Sequence, residues 1–149
     1  MKKYLFIIIL FITGCGYQSI YSNNKSQNFE FYKVTTEGES YINRKIINSI
    51  SLKEDNTNPV LNEFLLVSSF KVDETSKDKK GQIKSYRSKI VVNLTIRNNK
   101  DIIKYKTFSE EFTYNNKDNK FDLVEYQREI KTMLVNKIIE DLIILINLK

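Results

Sequence analysis

The sequence predicts an α+β fold, a two-layer arrangement in which a four-stranded, mostly antiparallel sheet carries two helices on one face. Three observations predict it. Residues 84–97, KSYRSKIVVNLTIR, alternate apolar and polar side chains over a long stretch, the mark of a strand with one wet face. Ile42, Ile46 and Ile50 recur at helical spacing, and a longer stripe runs from Leu123 to Leu145. Between the two stripes lie three strand-like runs joined by short polar turns. The order is β-α-β-β-β-α, and two helices covering one sheet face make a stable layered core.

The chain opens on MKKYLFIIILFITGC. Two lysines, Lys2 and Lys3, precede an uncharged run that ends at a glycine and the only cysteine, Cys15. A basic n-region, a short apolar h-region and a small residue before the cut predict a secretory signal over residues 1–14. The apolar run is about half the length that spans a bilayer, so a lasting transmembrane helix is not expected. Residues 15–27 then read as a polar tether and 28–149 as a single domain.

Asn28 to Val34 reads as the first strand, with Phe29 and Phe31 on one face. Thr36 and Glu39 form a T-x-x-E pattern, so a capping box is expected to open a helix that runs to about Ser51. Ile47 widens its apolar stripe, while Asn43, Arg44, Asn48 and Ser49 fall on its other faces. Leu52 to Pro59 reads as a loop with the only proline. Asn62 to Asp73 reads as the second strand, partly apolar on both faces and so covered twice or turned to a partner.

Glu74 to Gln82 is the most polar window, expected as a mobile loop, and it carries Lys77, Lys79 and Lys80 beside a glycine. Such a loop either binds an anion or partner or is a solvated hairpin connection. In the third strand, Tyr86, Ile90, Val92, Leu94 and Ile96 share the core face. Arg87, Lys89, Asn93, Thr95 and Arg97 share the other, which meets water or an anionic ligand. Asn98 to Asp101 reads as a turn. Ile102 to Tyr114 returns as the fourth strand. Lys104 and Lys106 fall on the parity of Phe108 and Phe112, which predicts a bulge or an edge position near Thr107. Asp122 and Glu125 are expected to cap the last helix, with Phe121 and Tyr126 as a hydrophobic staple. The helix extends to about Asn147 through Leu123, Ile130, Leu134, Ile138, Leu142 and Leu145. Its end, IIEDLIILINL, is apolar on nearly every face and predicts deep burial or contact with another protein.

Composition narrows the chemistry. The 149 residues hold 24 basic and 18 acidic side chains, and losing Lys2 and Lys3 leaves 22 against 18, a balance of +4. On a secreted chain that excess suits an acidic lipid or glycolipid rather than nucleic acid. There is no histidine and one cysteine. Ser-His-Asp, Cys-His and His-zinc sites and an intramolecular disulfide are therefore excluded. An enzyme would have to run on carboxylates, Lys or Tyr alone, and the adjacent pairs Glu110/Glu111 and Glu140/Asp141 do not converge on a strand or a helix. No enzyme activity, no cofactor and no metal site are expected.

Ile12-Thr13-Gly14-Cys15 resembles the bacterial lipobox, which implies a covalent lipid on Cys15 as the one non-protein group. Together with C-G-Y-Q, the strand S-Y-R-S-K-I-V-V-N-L-T-I and the run F-T-Y-N…F-D-L-V-E-Y-Q-R-E-I, the order of elements resembles the LptE family of lipopolysaccharide-assembly lipoproteins, in its short alphaproteobacterial form. The resemblance covers the whole mature chain. It implies an outer-membrane lipoprotein, facing the periplasm, that plugs and helps assemble an LptD-type β-barrel in a 1:1 complex and assists lipopolysaccharide delivery to the outer leaflet. Gly16 is not the aspartate that holds enteric lipoproteins in the inner membrane. Arg87 matches a basic residue at the start of the family's strand, and the 74–82 loop falls where the family places a lumen-facing connection. Lys77, Lys79, Lys80, Arg87, Lys89 and Arg97 are thus the candidates to face lipopolysaccharide or the barrel. The alternative is a periplasm-facing envelope lipoprotein that binds another ligand or partner.

Overall fold

A computed structural model describes residues 29–99 and 101–147. The signal, Cys15 and the tether lie outside the described residues. The elements run β1 (Phe29–Phe31), β2 (Lys33–Gly38), α1 (Ser40–Ser49), β3 (Leu52–Glu54), β4 (Glu63–Lys77), β5 (Ile83–Asn98), β6 (Asp101–Asn115) and α2 (Lys120–Asn147). The α+β class and the helix and meander order are as the sequence predicts.

The main sheet is mixed, in the order β2-β4-β5-β6. β4, β5 and β6 form an antiparallel meander, while β2 lies parallel to β4. A parallel neighbour needs a long crossover, and residues 39–62 supply one through α1. The first strand is two: Tyr32 bends the chain, so β1 pairs with β3 in a small parallel ribbon and β2 joins the main sheet. β3 occupies the start of the stretch that reads as a loop.

Even-numbered residues of β4 and β5 point to the helices. Phe64, Leu66, Ile90, Val92 and Leu94 are buried there against Ile42 and Ile46 of α1 and Ile130, Leu134, Ile138 and Leu142 of α2. The odd-numbered face carries no helix. It is a broad open surface of aliphatic, hydroxyl and charged side chains.

Several local expectations are corrected. Thr36 does not cap a helix, because it pairs with Leu66 as β2 continues to Gly38. Glu39 takes the N-cap position without a side-chain cap; its N–H donates to the Ser68 carbonyl at 3.2 Å. Asn43 is buried rather than turned to solvent, and its amide donates to the Glu37 carbonyl at 2.9 Å. The register irregularity in β6 falls between Ile96 and Arg97, opposite Ile102 and Lys104, and not near Thr107. β6 is an edge strand, as its mixed parity allows. The cap of α2 is Asn119, whose Oδ1 accepts the Phe121 N–H at 2.9 Å. Phe121 is 72% exposed and staples nothing. Tyr126 instead meets the edge of Tyr114, ring centroids 5.7 Å apart.

Candidate functional site

β4 and β5 end in a hairpin arm whose tip, residues 77–83, reaches past the last β6 pairing, Ser85 with Asn115. Polar strand residues Glu74 to Lys77 are tolerated because all four are exposed on the outer strand of that arm. The loop shrinks to residues 78–82 and is closed by hydrogen bonds. Asp78 Oδ1 accepts the N–H groups of Lys80 at 2.8 Å and Gln82 at 2.9 Å, and Gly81 takes φ 81°. This Asx geometry holds Lys79 and Lys80 on the outside of the turn. Lys77 sits at the end of β4, paired with Glu74 at 3.1 Å.

Between the arm and the start of α2 lies a cleft. Ile83, Tyr86, Leu123 and Val124 line it, with Lys84, Lys117 and Lys120 and the carboxylates of Asp78 and Asp118 around them. Lys117 lies 4.3 Å from the Tyr126 ring centroid, a cation–π contact. The three added lysines were not singled out from sequence. The polar run 115–120 marks only a turn until folding brings it beside the hairpin, where Asn116 Nδ2 donates to the Ile83 carbonyl at 2.9 Å.

On the open sheet face, Arg87 and Lys89 stand side by side, as their parity predicts. Register places Asp73 opposite Arg87, Lys71 opposite Lys89, and Glu111 on the far side of Lys89. Glu111 is 3.8 Å from Arg87 and 3.9 Å from Lys89, while Lys71 pairs with Asp73 at 2.7 Å. Three cations thus face two carboxylates, and the patch keeps one net positive charge. Its ion pairs are half exposed, so each contributes about 1 kcal/mol at most. An incoming phosphate can displace Glu111 from Arg87 without a large penalty, because both groups already touch water.

Arg97 does not belong to this patch. Ten residues along β5 from Arg87 put it about 33 Å away. It pairs in register with Glu63 and Ile102, and its Nε is buried without a hydrogen-bond partner. The structure therefore groups Lys77, Lys79 and Lys80 at the hairpin tip and Arg87 with Lys89 just below, and leaves Arg97 at the other end.

The carboxylate pairs diverge. Glu111 faces the open side, and Glu110 faces the helices, 3.8 Å from Lys137. Among the described residues, no group of three or more His, Cys, Asp or Glu is placed to hold a metal ion. Among the same residues, no helix is long and apolar enough to cross a membrane.

No family model matches the sequence, and no curated protein matches it. Solved structures are similar to it, and a TM-score above 0.5 shows a shared fold with the first of those that follow. The uncharacterized lipoprotein B from Nitrosomonas europaea superposes with a TM-score of 0.55 at 6% identity, covering 84% of this chain and 88% of that one. The rare lipoprotein B from Shewanella oneidensis gives a TM-score of 0.49 at 10% identity over 73% of this chain and 86% of that one. A minor lipoprotein from Acinetobacter baumannii gives 0.49 at 10% identity over 76% and 89%. The likeness to the Nitrosomonas europaea protein is one of fold alone.

Proposed function

We propose that this chain is an envelope lipoprotein, anchored through an acylated Cys15 in the outer membrane, that plugs and helps assemble an LptD-type β-barrel and assists lipopolysaccharide delivery to the outer leaflet. The observation that carries the reading is a cysteine-terminated leader of lipobox type on a domain with the fold of lipoprotein B from Nitrosomonas europaea. The sequence resemblance to the LptE family supplies the partner and the cargo.

The open face suits that role. A plug must offer polar groups to the polar interior of a barrel, and rows such as Asn93–Thr107 and Lys71–Lys89–Glu111 do so across three strands. Lipid A phosphates would be met by Arg87 and Lys89 through charge-assisted hydrogen bonds. The hairpin lysines Lys77, Lys79 and Lys80 would add cationic reach. The role is one of binding and assembly, without catalysis and without a cofactor beyond the lipid.

The test is affinity purification of the tagged full chain from detergent-solubilised outer membranes. A large β-barrel recovered in equal amount is the expected result. Recovery of the chain alone, or with a soluble periplasmic partner only, would remove the barrel role.

A further inference from the structure

The two ends of the domain differ in character. At the arm end, lysines and carboxylates surround two exposed apolar residues, Phe121 and Val124. At the other end, large apolar side chains stand in the open: Ile102 is 60% exposed, Ile103 56%, Tyr105 61% and Ile144 58%. Val60, in the loop before β4, is 81% exposed. Single exposed apolar residues are ordinary, but several sharing one end mark a contact surface.

That end is also where the chain enters the domain. Register runs Lys33–Glu63–Arg97–Ile102 across the main sheet. Tyr32 N–H donates to the Asn62 carbonyl at 2.8 Å, so β1 and the entry at Phe29 lie beside this row. The end of α2 is fixed there as well, since Lys104 Nζ donates to the Leu145 carbonyl at 2.9 Å. Thirteen residues, 16–28, separate Cys15 from Phe29. That many residues reach about 45 Å at most.

We propose that this end rests in the membrane interface, with Ile102 and Ile103 as the inserted tip, as a non-covalent contact added to the Cys15 anchor. The proposal rests on the anchor reading. A tether this short keeps the tip at high local concentration beside the leaflet, so weak insertion suffices. Lys106 alternates with the apolar residues and carries a long stem that lets its charge reach the headgroups. Tyr105 has the amphipathic ring that favours the interface. Carboxylates at this end, Glu63 and Asp101 among them, balance the cations, so the contact is apolar in origin rather than electrostatic.

The chain contains no tryptophan, so one introduced indole reports a single position. The full chain, purified from membranes as Ile103→Trp or, at the opposite end, Phe121→Trp, is reconstituted in phosphatidylethanolamine–phosphatidylglycerol vesicles with acyl-chain-brominated lipid. The Ile103→Trp chain is expected to be quenched by the bromines and shielded from aqueous iodide, and Phe121→Trp to show the reverse. Equal bromine quenching at both positions, or no vesicle association, overturns the proposal. So does a blue-shifted but bromine-insensitive signal at 103, which means that a second copy or a protein partner covers the tip. The mass of the Cys15 peptide reads the anchor separately: a peptide without acyl mass ends the anchor reading, while bromine quenching at 103 would still establish the insertion.

Discussion

Gly38 lies so close to Ser68 that a Cβ on the glycine would drive into the Ser68 carbonyl oxygen. The same oxygen accepts the Glu39 N–H, and Ser68 Oγ donates back to the Glu39 carbonyl at 3.3 Å. Gly38 also takes φ 88°. Strand β2 thus turns into α1 at a point where only glycine fits. Gly38→Ala should lower the unfolding free energy by on the order of 3 kcal/mol, the joint effect of positive φ and overpacking. Chemical denaturation measures it, and a loss below about 0.5 kcal/mol would show that the junction can shift.

Lys131 ties both helices to the sheet. Its Nζ is 2.8 Å from Glu39 Oε2 and lies 4.5 Å and 5.5 Å from the ring centroids of Phe70 and Tyr41. The side chain is only 20% exposed, so its stem packs as well as its charge. Lys131→Ala should cost about 1–2 kcal/mol. A double-mutant cycle with Glu39→Gln should give a coupling above about 0.5 kcal/mol; additive losses would mean that the stem, not the ion pair, is responsible.

Asp55 turns the chain after β3. The Thr57 hydroxyl and then the Thr57 N–H donate to its Oδ1, and these bonds hold its carboxyl below the ordinary aspartate value. A depressed pKa favours the folded state above the unfolded pKa, and that contribution fades as pH falls through the folded value. In Thr57→Val the Asp55 carboxyl should titrate at higher pH by NMR. An unchanged titration would show that the hydroxyl bond is not formed in solution.

Arg87 and Lys89 both flank Glu111, so charge reversal would crowd carboxylates on one face. The cleaner variant is Arg87→Gln with Lys89→Gln. The fold should survive, with a stability change within about 1 kcal/mol. Lipopolysaccharide binding should weaken about tenfold, as for loss of one charge-assisted hydrogen bond. Unchanged binding with a normal circular dichroism spectrum would remove these residues from the site.

Much of the fold was legible because burial wrote it plainly. Ile90, Val92 and Leu94 alternate with polar residues, and Ile42, Ile46 and Ile50 repeat at helical spacing; in both places periodicity and core agree. The misses have physical causes. T-x-x-E suits a capping box, but Thr is equally at home in a strand, and Gly38 between the two residues was the better signal of a turn. Asn43 is polar yet buried, because its Nδ2 donates to a backbone carbonyl on the preceding strand. Glu74 to Lys77 looks like loop because these four strand residues are all exposed, so nothing there demands an apolar side chain. Shared parity put Arg97 with Arg87 and Lys89, but parity fixes only the face and says nothing of distance along it. The Lys84, Lys117 and Lys120 cluster depends on a contact between distant segments that no local pattern records.

Native mass spectrometry of the detergent-extracted chain shows whether barrel and lipid anchor occur on one particle. One dominant species is expected, holding one outer-membrane β-barrel and one copy of this chain, heavier than its residues from Cys15 onward by the mass of attached acyl groups. A free, unacylated monomer from outer membranes in which the barrel is otherwise intact would contradict it.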